Sequence, residues 1–310
     1  MILIVSEPAD IHSSVVAQRL VDKGSDVCIF SAGDFPQRLS VSWKTGGVST
    51  GYTFKYADRT IDSDEVRGIW VRRLKSFAIA PSIIDSQVQT FTYAECKDFF
   101  FGWLSTFRNV INSCHNELLA SKKLTQLHHA QELGFRIPET LISNDPEDIR
   151  AFYTKRKTEI IFKPLTGTAF QFTGAHQFEE AHLLNIEAGA LAPSIYQERI
   201  SVKHNLRITI VDQDVFAASI KVSNTHAELD WRLERNPVIE PYALPAGIQD
   251  KLLKLQQRLG LRYGAVDMIV NDDDEYVFLE DNPGGQFLFV EIPTKLPISK
   301  AVASALLNGA

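Results

Sequence analysis

Residues 276–286, YVFLEDNPGGQ, constrain the fold of this chain more than any other stretch. Apolar residues run up to a small polar cluster, and Pro283, Gly284 and Gly285 then turn the backbone. The pattern predicts a β-strand that stops at chemically useful side chains. Glu280 and Asn282 are two apart, so on an extended chain they share a face. Just upstream, residues 265–270, AVDMIV, read as a second strand carrying one carboxylate, Asp267. The intervening NDDDE is turn-forming. A four-residue loop over 272–275 would pair Asn271 with Tyr276 and set Asp267 opposite Glu280. Two carboxylates and an amide oxygen then converge, and hard oxygen ligands of that kind suit Mg²⁺. The Asp272–Asp274 run reads as a solvated hairpin tip. Asp267, Glu280 and Asn282 lie within or at the end of apolar strands, where an unpaired carboxylate is costly, and read as metal ligands.

A chain of 310 residues sets a prior of two domains, and an apolar fraction of 45% fills sizeable cores. The net charge of −6 argues against a protein that coats nucleic acid. Cys28, Cys96 and Cys114 are far apart, with no CxxC pair, which fits a reduced, cytoplasmic setting. MILIVS reads as a buried strand rather than a signal peptide. No apolar run approaches the ~18 residues of a membrane span. Neither a nucleic-acid nor a membrane partner is expected.

The opening reads β-α-β, with strands at 2–5 and 27–30, and without GxGxxG it does not support dinucleotide binding. Residues 46–60 read as a hairpin or an exposed loop. A strand at 68–71 ends in Arg72-Arg73, which can meet an anion or simply be solvated. The aromatic helix over 90–107 reads as packing. From Leu118 one helix runs to Gly134. Its adjacent His128 and His129 face different sides and read as ordinary helix residues. An edge strand over 136–141 and a short helix over 146–154 follow. Residues 159–163, EIIFK, read as a buried strand ending in Lys163. The small-residue loop 164–174 beside it can turn N–H groups on phosphates. A strand at 196–200, a hairpin from 206–211 and 215–222, an amphipathic helix over 249–259 and a last helix over 298–307 complete the pattern. There is no GxxxxGK[ST], HExxH or GxSxG.

The order of these pieces is more specific than any one of them. Lys123, Gly134-Phe-Arg-Ile-Pro138, Lys163 on a strand, Gln197-Glu198-Arg199-Ile200, Arg207 and Asp267…Glu280-x-Asn282 together resemble the ATP-grasp ligases. SKKLTQLHHAQELGFRIPETLIS, YQERISVKHNLRITIVDQDVFAASI, DWR and FLEDNPGGQFLFVE resemble the graspetide synthetases, the microviridin-type peptide macrocyclases. MILIVSEPAD…VVAQRLVDKG and VRGIWVRRLKSF resemble the pre-ATP-grasp domain of that family, so the likeness covers nearly the whole chain.

The resemblance implies an α/β (α+β) class: an ATP-grasp fold behind an N-terminal pre-ATP-grasp α/β domain. The expected partition is 1–115, a central lid subdomain at 116–195, and a C-terminal subdomain with the metal site at 196–310. By the resemblance, Lys123 and Lys163 hold ATP phosphates, and Gln197, Glu198 and Ile200 line the adenine. Asp267 and Glu280 share one Mg²⁺; Glu280 and Asn282 take a second. Arg207, Lys221 and Arg232 surround the γ-phosphate and the substrate carboxylate. The implied reaction phosphorylates an Asp or Glu side chain of a ribosomal precursor peptide (leader plus core). A Ser, Thr or Lys of the same peptide then displaces phosphate to close a macrolactone or macrolactam. A homodimer is the family's habit. Two alternatives stand: a ligase adding a free amino acid to a protein tail or small acid, and an inert nucleotide-binding scaffold. Three departures are visible. Asn205 stands where the family often has an acidic residue for the ribose, GQF replaces GQW, and Asp281 replaces an apolar residue.

Overall fold

The computed structural model describes residues 1–46, 51–156, 159–166, 174–222, 231, 234 and 236–309. The β-α-β opening forms as its pattern predicts. β1 (Ile2–Val5) is apolar and buried at every position. Asp10 caps α1 (Ile11–Val21), its carboxylate accepting from the Ser13 amide at 2.7 Å. β2 (Val27–Phe30) lies parallel to β1. Three antiparallel strands follow, β3 (Leu39–Lys44), β4 (Gly51–Tyr56) and β5 (Arg59–Asp62), so the predicted hairpin or loop is part of a small sheet. β6 (Gly68–Val71) then joins the other side of β1.

α2 (Ser86–Ser105) departs from the packing role predicted for its aromatics. Phe100 and Trp103 are 0% and 2% exposed, but Phe91 is 64% exposed. Phe91 and Phe100 are nine residues apart, half a turn out of phase on an α-helix, so one aromatic run serves two faces. β7 (Val110–Ile111) completes a parallel sheet of order β2-β1-β6-β7.

The helix predicted from Leu118 is two helices, α3 (Cys114–Ala120) and α4 (Lys123–Glu132). The Gln126 side chain donates to the Ala120 carbonyl at 2.6 Å and satisfies the end of α3. Lys122 is extended there, so Lys123 opens a fresh helix. Gly134 ends it with φ +72°. β8 (Thr140–Ser143), α5 (Pro146–Arg156), β9 (Ile160–Pro164), β10 (His176–Gln177), a 3-10 stretch at Glu180–Leu191 and β11 (Ser194–Glu198) form the next unit. Its antiparallel sheet has the order β10-β9-β11-β8. A small core of Ile149, Ile160, Phe178, Ile186 and Tyr196 holds it together.

The last unit is a five-stranded antiparallel sheet of order β14-β13-β12-β15-β16. Its strands are β12 (His204–Val211), β13 (Asp214–Lys221), β14 (Val238–Pro241), β15 (Tyr263–Val270) and β16 (Tyr276–Asn282). α6 (Ala246–Leu259) lies between β14 and β15 in the chain and buries Leu252, Leu255 and Leu259, the face its spacing predicts. α7 (Leu288–Thr294) and α8 (Ile298–Asn308) close the chain. Val302 and Leu306 of α8 share one apolar cluster with Ile2, Ile4, Val16 and Leu20. The two ends of the chain therefore share a core. The fit is close: a Cβ at Gly68 would lie 2.7 Å from the Leu306 carbonyl oxygen. No helix of the described residues is long and apolar enough to cross a membrane.

Candidate active site

The β15–β16 hairpin brings Asp267 opposite Glu280, though by a different route from the predicted one. Val270, not Asn271, pairs with Tyr276, so the loop holds five residues. Asn271 builds that loop: its side-chain oxygen accepts from the amides of Asp273 and Glu275 at 3.1 and 2.8 Å. Asp274 takes φ +61°. Leu279 is then left out of the pairing as a bulge, which shifts the register by one and returns Glu280 to Asp267. Asn282 ends β16 opposite Ala265.

Both carboxylates have cations beside them. Arg207 lies opposite Asp267 on β12 and donates from Nη1 to both carboxylate oxygens, at 3.0 and 2.9 Å. It is 6% exposed. Burial works most strongly against its charge, but Asp267, Tyr263 and Glu280 together outweigh burial and raise its pKa. Lys123, at the start of α4, forms an ion pair with Glu280. Sequence, fold and charge thus gather Asp267, Glu280, Arg207 and Lys123 into one cluster. Asn282 lies at its edge, its Oδ1 accepting from the Gly284 amide at 3.2 Å.

Residues not singled out in the sequence hold this segment rigid. Gln126 grips the Asp281 backbone twice, donating to its carbonyl at 2.6 Å and accepting from its amide at 3.0 Å. Tyr263 donates to the Gly285 carbonyl at 2.8 Å, and Asn112 to the Pro283 carbonyl at 3.1 Å. A Cβ at Gly285 would collide with the Ala265 methyl group. Asp281 faces away from the cluster, as its place between Glu280 and Asn282 predicts. It is 1% exposed and accepts from Gln256. Burial pushes its pKa up to about 7. These contacts join residues far apart in the chain, and no local pattern announces them.

Lys163, Gln197 and Glu198 lie on the other sheet. Lys163 is on β9 opposite Ile195. Gln197 is 2% exposed and donates to the Thr140 hydroxyl at 2.9 Å. Glu198 accepts from the Glu139 amide at 3.1 Å. Glu198 and Ile200 line a cavity of about 660 Å³ with Arg136, Arg199 and Asp272, where β11 crosses to β12. Lys221 is not brought to the cluster. It lies on β13, two strands from β15, and pairs with Glu240 at 2.7 Å, both about half exposed. Arg232 lies outside the described residues, as do Asp230 and residues 167–173 of the loop beside Lys163. Trp231 stacks on Phe289 with ring centroids 5.2 Å apart, and Arg207 lies over that same ring at 5.8 Å.

His128 and His129 correct their sequence reading. Both reach Glu132 one turn on, at 3.5 and 3.3 Å, so adjacent histidines do converge on one carboxylate. Their ligand atoms and that of Glu132 lie within 4.8 Å of one another.

The donor set of the main cluster fits Mg²⁺. Two carboxylates on neighbouring strands and a nearby amide oxygen are all hard oxygen donors. A zinc or redox site would call for imidazole or thiolate ligands instead.

Comparison with known proteins finds relatives over nearly the whole chain. The family described as "MvdD pre-ATP grasp domain" matches residues 1–117, and the "RimK-like ATP-grasp domain" matches residues 114–306. Among solved structures, the macrocyclase MdnC of Microcystis aeruginosa MRC, bound with precursor peptide MdnA, is 32% identical. The alignment covers 99% of both chains with a TM-score of 0.88. A RiPP-associated ATP-grasp ligase of Chryseobacterium gregarium, in complex with ADP and a leader and core peptide, is 26% identical. It covers 98% of this chain and 96% of that one, with a TM-score of 0.90. Macrocyclase MdnB of Microcystis aeruginosa MRC is 25% identical over 99% of both chains, with a TM-score of 0.82. No curated protein matches the chain.

Proposed function

Because the chain belongs to the RimK-like ATP-grasp ligases and carries an MvdD-type pre-ATP-grasp domain, we propose that it closes side-chain crosslinks in a ribosomal precursor peptide. It is an ATP-dependent ligase, and its peptide substrate follows the likeness to MdnC, which covers both chains almost end to end. The observation that carries the chemistry is the Asp267–Glu280 pair on adjacent strands with Lys123 and Arg207 beside it.

The reading assigns the parts as follows. Residues 1–115 form the pre-ATP-grasp domain, 116–195 a lid, and 196–310 the subdomain that holds the metal. Asp267, Glu280 and Asn282 hold Mg²⁺, which draws charge off the transferring phosphoryl group when bound. Lys123 and Lys163 hold the ATP phosphates from opposite walls, and the strand end at Gln197, Glu198 and Ile200 takes the adenine. Arg207 and Arg232 serve the γ-phosphate and the substrate carboxylate, and Lys221 would join them only on leaving Glu240, its partner two strands from Asp267. Glu280 now pairs with Lys123, so Lys123 can turn its ammonium to a phosphate once its carboxylate partner is engaged elsewhere. Arg207 holds Asp267 through both carboxylate oxygens, which keeps the ligand preorganised.

Carboxylate activation proceeds by transfer of the γ-phosphoryl group to an Asp or Glu side chain, giving an acyl phosphate and ADP. A hydroxyl or amine of the same peptide then attacks the acyl carbon and phosphate leaves. The net change is one ATP to ADP and phosphate, and one water lost from the peptide, per bond. The test is incubation with the short precursor peptide encoded beside the gene, ATP and Mg²⁺. Loss of one water mass per bond is expected. A gain of amino-acid mass, or ADP formation without peptide change, would refute the reading.

A further inference from the structure

The end of β6 carries two arginines that the reaction above does not use. Arg72 is 3% exposed, and its Nη1 donates to the Gly284 carbonyl at 2.6 Å. Its Nε lies 3.6 Å from an Asp10 carboxylate oxygen, and neither Nε nor Nη2 has a hydrogen-bond partner. A buried guanidinium with unspent donors is costly to keep. Arg73 follows it, exposed, and its side chain makes no hydrogen bond or ion pair among the described residues.

The topology gives this place a meaning. The chain runs from β1 to β2 on one side and returns with β6 on the other. The switch point of the parallel sheet therefore lies between β1 and β6, and ligands bind outside the carboxyl ends of strands at such a point. The amides of Arg72 and Arg73 both donate to the Val5 carbonyl, at 2.9 and 3.1 Å, so both arginines are pinned at the mouth of that crevice. The loop that follows Asn282 closes one side. A Cβ at Gly284 would lie 4.0 Å from the Arg72 carbonyl and 3.5 Å from Glu117 Oε1.

The charges of the crevice leave a cation over. Glu7 is occupied by Ser31 and Lys75, at 2.7 and 2.6 Å. Asp10 faces Arg72 while capping α1. Burial pushes Glu117 up to about 7 against the pull of Arg72 and Arg73. Burial, helped by Arg72, pushes His12 down to about 4, so it adds no charge at neutral pH.

We propose that this crevice is the subsite for a carboxylate side chain of the peptide substrate, with Arg73 as the contacting cation and Arg72 as the residue that positions it. A guanidinium fork suits a carboxylate, and the subsite borders the loop that carries Asn282. The inference rests on the peptide-ligase reading, yet its test does not need turnover. Fluorescence anisotropy with the labelled precursor peptide, in the absence of ATP, reads binding alone. Arg73→Ala should weaken binding about tenfold, the scale of one charge-assisted hydrogen bond. Arg73→Lys should restore part of it. Replacing one Asp or Glu of the peptide by Asn or Gln should weaken binding to the unaltered protein, and have no further effect on Arg73→Ala.

Arg72→Lys keeps the charge and loses the fork. It should lower turnover at saturating peptide more than it raises the peptide KM. Unchanged peptide binding by Arg73→Ala would overturn the proposal. So would a rise in the ATP KM without a rise for peptide, which would assign the arginines to nucleotide phosphate. Binding that depends on Arg73 in a protein that forms no crosslink would sink the ligase reading and leave the subsite standing.

Discussion

The two walls proposed to face the nucleotide are built on different principles. The metal-side wall rests on a large apolar cluster that includes Leu206, Ile208, Leu252, Leu255, Met268 and Phe278. The lid rests on a smaller cluster of Ile149, Ile160, Phe178, Ile186 and Tyr196, with partly buried Leu141, Phe152, Tyr153, Phe162 and Leu183 packed against it. The metal side also ties its chemistry down by long-range hydrogen bonds from Gln126, Tyr263 and Asn112. The lid instead binds itself with a charged knot of Glu139, Lys155, Arg156 and Glu198. One wall is tied down by contacts from distant parts of the chain, and the other mostly by contacts within itself. A ligase that must admit a peptide and then exclude water would need one fixed wall and one that closes as a unit.

The sharpest test of the preorganised wall is Glu280→Gln. It removes one carboxylate charge from the cluster and keeps the size of the side chain. ADP formation should fall by about a thousandfold or more. The melting temperature should stay close to that of the unaltered protein, since Glu280 is not part of the apolar core. Near-normal turnover would refute the metal assignment.

The chain reveals the metal-side wall far more readily than the lid. Apolar strands, a polar cluster and a Pro-Gly-Gly turn lie within residues 265–285, so local spacing carries the message. Even so, the hairpin tip is one residue longer than the pattern predicts. Asn271 looks like any turn residue, and the bulge at Leu279 leaves no mark in an alternating pattern. The break at Ser121-Lys122 was missed for a related reason. Both residues tolerate a helix, and the Gln126 side chain that takes the Ala120 carbonyl comes from the next helix. Arg72 was legible as a strand end but not as buried, because the loop that covers it lies more than two hundred residues away. The lid gives weak signals throughout, since short strands and charged partners look like any surface.

Core truncation separates the walls next. Leu252→Ala should cost about 2–5 kcal/mol and destabilise the whole protein, because Leu252 is 0% exposed in the large cluster. Phe178→Ala should cost about 3–5 kcal/mol within the lid. Its effect should show as faster amide exchange over residues 140–198, with the C-terminal sheet unchanged. Equal loss of protection in both regions would mean that the lid is not a separate unit. A smaller effect is expected from Lys163→Ala, which removes the cation proposed to hold a phosphate from the lid side. The ATP KM should rise about tenfold, equivalent to ~1.4 kcal/mol, with little change in the peptide KM.

The smallest expected effect tests the knot itself. The hydrogen bonds from Lys155 and then Arg156 lower the Glu139 pKa from its ordinary 4.5. A carboxyl depressed in the folded state stabilises that state in full above its unfolded pKa. The contribution is lost as pH falls through the folded value. The lid should therefore lose protection below about pH 4.5, while the Leu252 region holds its own. Glu139 is partly exposed, so salt should weaken the knot as well. Glu139→Gln at neutral pH should reproduce the acid behaviour without acid. It should also free the Glu198 strand end, because the Glu139 backbone and Arg156 both bind the Glu198 carboxylate, at 3.1 and 3.4 Å. Amide exchange corrected for the intrinsic effect of pH is the measurement. Lid protection that ignores acid, salt and Glu139→Gln alike would show that the smaller apolar cluster suffices to hold this wall, and the contrast between the two walls would then be one of size alone.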